Sequence, residues 1–136
     1  MIRKIIALAV GLLAAVALVT AIEGIGVELY PLPDSIDTKN IDQMRKHVEN
    51  LPPQALLIVL SAWIVATTGG GLLACIIAKV KPLLFASLIG LVIMGGSIYS
   101  MLEIPHPPWF MGAAIAGILM AIFITVRIAR IFVKVQ

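Results

Sequence analysis

Four long apolar runs constrain this chain more than any other feature: Ile5–Ile22, Ala55–Ala78, Leu83–Leu102 and Trp109–Val126, none containing Asp, Glu, Lys, Arg or His. A bilayer's hydrocarbon core is about 30 Å thick. At about 1.5 Å per residue, a helix needs roughly 17–25 apolar residues to cross it, and each run meets that length. Lipid gives backbone groups no hydrogen-bond partners, so only helices or closed barrels span it. The runs are continuously apolar and lack the alternation of barrel strands. The expected fold is therefore all-α: a polytopic four-transmembrane-helix bundle, one domain over residues 1–136, with spans at about 5–22, 55–78, 83–102 and 109–126 and an external loop at 23–54. Composition agrees. Hydrophobic residues make up 61% of the chain and charged ones 12%, against about half and a quarter in a soluble domain.

The charges are one-sided. Arg3 and Lys4, then Lys79 and Lys81, then Arg127, Arg130 and Lys134 fall in three segments with no acidic residue. The remaining connections hold Lys39, Arg45 and Lys46 against Glu23, Glu28, Asp34, Asp37, Asp42, Glu49 and Glu103. One face carries +7 and the other −4, giving the net +3. The Lys/Arg bias sets orientation in short loops, which predicts both termini in the cytoplasm. The basic balance reads as topology signals beside anionic headgroups, not as a nucleic-acid surface, and the bilayer is the partner it implies. A rival reading of Met1–Ala21 is a signal peptide: Arg3-Lys4, an apolar stretch, then the small residues Val19-Thr20-Ala21. Its apolar stretch exceeds the usual core of about 7–15 residues, so an uncleaved first helix is expected.

Small residues recur at four-residue spacing, which places them on one helix face. The first span has Ala7, Gly11 and Ala15; the second has Ala62, Ala66, Gly70, Ala74 and Ala78. The third has Ala86 and Gly90, and the fourth Ala113, Gly117 and Ala121. Close approach of small residues drives helix association in lipid, so the second span belongs at the bundle centre. Its Gly69-Gly70-Gly71 run admits two readings, tight packing with a bend or an unwound ion-binding segment of the kind found in transporters. Cys75 reads as a small buried apolar residue, and a lone cysteine forms no intrachain disulfide.

In the loop, Asn40–Leu51 reads as a short amphipathic helix capped by Asn40, with Gln43 completing a capping box. Ile41, Met44, Val48 and Leu51 share its apolar face, and Asp42–Lys46 and Arg45–Glu49 are spaced for ion pairs. The candidate functional residues collect at this level: Glu23, Glu28, His47, Glu103 and His106. A carboxylate at Glu23, if the first helix runs on to about Tyr30, lies below its outer end and needs a partner, a proton or water. Glu23, His47, Glu103 and His106 are chemically suitable ligands for a divalent metal, although their spacing follows no metal motif. Trp63 reads as a core residue whose indole bonds to another helix. The sequence has no phosphate loop and no nucleophile with an evident base, implies no cofactor and leans away from an enzyme.

Ala21-Ile-Glu23-Gly24 with Tyr30-Pro31, Ala62-Trp63 with Gly69–Gly71, and Ile104-Pro105-His106-Pro107 with Trp109 together resemble an uncharacterised family of small bacterial four-helix integral membrane proteins. The resemblance implies this fold and a bacterial inner membrane, without an activity. Small multidrug-resistance transporters also have four helices and a first-helix glutamate, but theirs lies mid-helix and their loops are short. The function expected is a non-enzymatic accessory or assembly subunit, with a membrane-protein partner or a second copy of itself engaged through helix contacts. The alternative is a small transporter or ion or proton pathway using Glu23 and the second-span glycines.

Overall fold

The structure, a computed structural model, describes residues 1–133; Lys134 lies outside the described residues. Five helices follow in order: α1 Ile2–Leu29, α2 Ile41–Asn50, α3 Pro53–Ala78, α4 Pro82–Glu103 and α5 Pro108–Phe132. All except α2 are long and apolar enough to cross a membrane. The fold is the expected all-α bundle. The helices start before the apolar runs, and all but α3, which ends with its run at Ala78, also end after them. The largest difference is in α1, which continues to Leu29. Glu23 and Glu28 are therefore helical residues, not part of the loop.

Proline sets three helix starts. Pro53, Pro82 and Pro108 each occupy the first turn of α3, α4 and α5, where a missing N–H costs nothing. The α3–α4 turn has no glycine, and Lys79 and Lys81 adopt left-handed backbone conformations with φ of 57° and 43°. Beside it, Arg3 Nη2 donates to the Ala78 carbonyl at 2.8 Å. This satisfies one of the carbonyls left without partners at the end of α3 and ties the start of α1 to it. Arg3, Lys4, Lys79, Lys81, Arg127 and Arg130 thus gather at one end of the bundle, the basic end. The acidic end carries α2 and the Glu103–Pro108 connection.

Helix α3 is the central element, packed against α1, α4 and α5, while α1 and α4 touch only slightly. Ala62, Ala66, Gly70, Ala74 and Ala78 are all buried along it. A Cβ built on Gly70 would lie 2.6 Å from the Gly11 carbonyl oxygen and 2.7 Å from Ala15 Cβ. One on Gly11 would lie 2.7 Å from Ala74 Cβ. Helices α1 and α3 are in backbone contact here, and only glycine permits it. Gly117 of α5 lies against Ile64 and Leu60, and Gly90 of α4 lies against Ile122. The ridges of α1, α3 and α4 are thus filled within the chain, while Ala113 and Gly117 of the α5 ridge are partly buried. The Gly69–Gly71 run does not interrupt α3, which is continuous from Pro53 to Ala78. Of the two readings, tight packing is the one observed.

Several hydroxyls within the spans bond to their own helices. Thr67 donates to the Trp63 carbonyl at 2.8 Å, Thr68 to Ile64 at 2.9 Å and Thr125 to Ala121 at 2.7 Å. Among the described residues no buried side-chain nitrogen or oxygen lacks a partner.

Candidate functional site at the acidic end

Helix α2 is held over the bundle by its apolar face. Asn40 Oδ1 accepts from the Asp42 and Gln43 amides at 3.1 and 3.2 Å, the expected cap. The reciprocal half of the capping box differs. Gln43 Oε1 accepts from the Asp37 amide at 2.7 Å, because the Asn40 amide already donates to the Asp37 carbonyl at 3.0 Å. Val48 is buried, whereas Ile41 is 60% exposed and leaves the docking face. The spaced ion pairs do not form. Among the described residues the one salt bridge is Arg45–Asp42 at 3.8 Å, a weak exposed pair.

Beneath α2 lies a cavity of about 290 Å³ bounded by α1, α2, α3 and the α4–α5 connection. Its polar lining is Glu23, Tyr30, His47, Ser100 and His106; Met44 and Leu56 are among its apolar residues. A second cavity, of about 280 Å³, lies between α1 and α4 and is lined by Thr20, Glu23, Trp63, Gly96, Ser97 and Ser100. The sparse α1–α4 contact leaves this space, and a Cβ on Gly96 would meet nothing within 4 Å. Glu23 and Ser100 line both cavities.

The Glu23 carboxylate is held from α3. Trp63 Nε1 donates to Glu23 Oε1 at 3.0 Å, with the indole 3% exposed. Phe110 meets the Trp63 ring edge-on at 5.5 Å, and His106 stacks on Phe110 at 4.8 Å. The buried Phe110 ring therefore connects the glutamate-bearing side of the bundle to the histidine. His106 Nδ1 lies 2.6 Å from the Ile104 carbonyl. A carbonyl only accepts, so Nδ1 carries the proton and Nε2 is the nitrogen left for other partners. Burial holds His106 below the usual histidine value of 6.5, partly offset by that hydrogen bond. The ring is a neutral donor–acceptor near neutral pH.

The structure thus brings Glu23, His47 and His106 to one cavity. Glu28 is exposed in the last turn of α1 and Glu103 is exposed at the end of α4; neither lines the two cavities. The divalent-metal grouping does not assemble. Among the described residues no three His, Cys, Asp or Glu side chains stand close enough to hold an ion. Sequence reasoning missed Phe110 and Ser100, and it left the partner of Trp63 open. That partner had a signal: an indole in an apolar span needs an acceptor, and Glu23 is the carboxylate bordering the neighbouring span. The chain matches no protein-family model, no curated protein and no solved structure.

Proposed function

We propose that this chain is a non-enzymatic accessory or assembly subunit of a bacterial inner membrane, with both termini cytoplasmic, related to the small four-helix family it resembles. Its partner, a membrane protein or a second copy, engages the acidic, extracytoplasmic end. The observation that carries this reading is where cavities lined by Glu23 remain in the bundle. Close α1–α3 contact at Gly11 and Gly70 fills the small-residue ridges of these two helices from within. The two cavities that share Glu23 lie toward α2. A partner segment finds there a half-buried carboxylate, two histidines and an apolar floor.

Photo-crosslinking tests the reading. A crosslinker at Met44 or His47 should capture a defined protein or a second copy in intact membranes, and one at Leu13 or Leu119 on the outward faces should label lipid. Equal protein capture from all four positions removes the proposal. A second reading, a small ion or proton pathway, is favoured by one observation: Glu23 lines both cavities. It expects Glu23→Gln to abolish a transport signal in proteoliposomes. The continuous packing of α1 on α3 near Gly70 gives that pathway no route between these two helices, so the accessory reading is preferred.

A further inference from the structure

We propose that the groove between α4 and α5 at the basic end holds one anionic phospholipid. Arg127 and Arg130 take its phosphate, and an acyl chain lies along Leu119, Ile122 and Phe123. The inference is independent of the function proposed above, which concerns the opposite end.

The groove has a volume of about 280 Å³, and Leu83 of α4 faces Leu119, Ile122, Phe123, Arg127 and Arg130 of α5 across it. Two arginines three residues apart share one helix face. The Arg127 guanidinium sits 5.1 Å from the centre of the Phe123 ring, a cation–π contact that positions the charge before any ligand arrives. No carboxylate side chain competes for it. All seven acidic residues fall between Glu23 and Glu49 or at Glu103, toward the other end. Of the neighbouring cations, Arg3 is engaged elsewhere, donating to the Ala78 carbonyl.

A guanidinium fork matches phosphate oxygens in pairs, which a lysine ammonium does not. The apolar part of the groove gives a lipid contacts that a free phosphate does not make. Leu83, Leu119 and Phe123 are 60%, 57% and 56% exposed, and they continue directly from the two arginines. An acyl chain of a lipid whose phosphate the arginines hold lies along that surface. Basic pockets between helices at a membrane surface suit anionic headgroups for the same reason.

The test uses the full chain in bilayer discs of phosphatidylcholine with a minority of phosphatidylglycerol. Lipid retained by the protein is counted by native mass spectrometry. Phosphatidylglycerol should be enriched about tenfold over its share of the disc. Arg127→Gln with Arg130→Gln should return the ratio to that of the bulk, while Lys79→Gln with Lys81→Gln, which removes equal charge from the same end, should keep it. If the double arginine variant folds poorly, Arg127→Gln alone should still lower enrichment about threefold. Glycerophosphoglycerol, the headgroup without chains, should not displace the lipid. The proposal is overturned by an unenriched wild type, by enrichment that survives the arginine variants, by equal loss in the lysine pair, or by displacement with the bare headgroup.

Discussion

Near Gly11 and Gly70, α1 and α3 are so close that a single methyl group would collide with the facing backbone. Farther along the same helices, at the acidic end, an indole and a carboxylate stand between them, 3.0 Å apart. One pair of helices thus makes two kinds of contact. The first is steric and leaves no room for a ligand. The second is polar and borders two cavities. Small residues let helices in lipid gain dispersion contact along their length. At the acidic end Trp63 and Glu23 take their place and bring polar chemistry to the boundary of the spans, where a carboxylate is tolerable.

The largest expected effect breaks the steric contact. Gly70→Leu should destabilise the bundle by about 3 kcal/mol or more, the upper end of overpacking, because the Gly11 backbone has no room to yield. Gly95→Leu is its counterpart, since a Cβ there meets nothing within 4 Å. It should leave the melting temperature in detergent nearly unchanged. Similar melting curves for the two variants would show that the close approach contributes nothing special.

Next is the polar contact. Trp63→Phe keeps the aromatic packing on Phe110 but leaves the Glu23 carboxylate without its donor, at a cost of about 1–3 kcal/mol. Glu23→Gln should cost less, because an amide oxygen accepts from the same indole. A double-mutant cycle reads the coupling. Additive effects of Trp63→Phe and Glu23→Ala would mean that the 3.0 Å contact carries no net energy.

The contrast between the two contacts explains what could be read from the sequence. The steric half was legible almost completely. Ala62, Ala66, Gly70 and Ala74 are spaced four apart, and helix geometry turns that spacing into a buried stripe. The Asn40 cap was legible for the same reason: it is local. The site was legible only as a level in the membrane. Glu23, His47 and His106 meet while Glu28 and Glu103 do not, and that depends on rotation about helix axes and on where α2 settles, both set by packing between distant segments. Ile41 shows the limit. It fits the apolar periodicity of α2, yet α2 is short and docks through Val48, so Ile41 remains exposed.

That docking gives a smaller, local effect. Val48→Ser should loosen α2 by about 1–2 kcal/mol of lost burial, seen as faster amide hydrogen exchange over residues 41–50. The long helices should keep their exchange protection. If they lose it as well, α2 is part of the bundle's cooperative unit, and the division into a rigid steric half and an adaptable cap is wrong.

The smallest effect is a pH dependence confined to the acidic end. His106 titrates below 6.5 in the folded chain because burial disfavours its charged form. Its contribution to stability is therefore complete above the unfolded value of about 6.5. It declines as pH falls from there toward the folded value, because the unfolded chain then binds the proton more readily. Between pH 7.5 and 5 the melting temperature should drop slightly, and His106→Gln should flatten that slope. A Cβ at Gly95 meets nothing within 4 Å, so Gly95→Leu disturbs no contact of the histidine and should keep the wild-type slope. An unchanged slope in His106→Gln would assign the pH response to another group and separate the histidine from the stability of the cap.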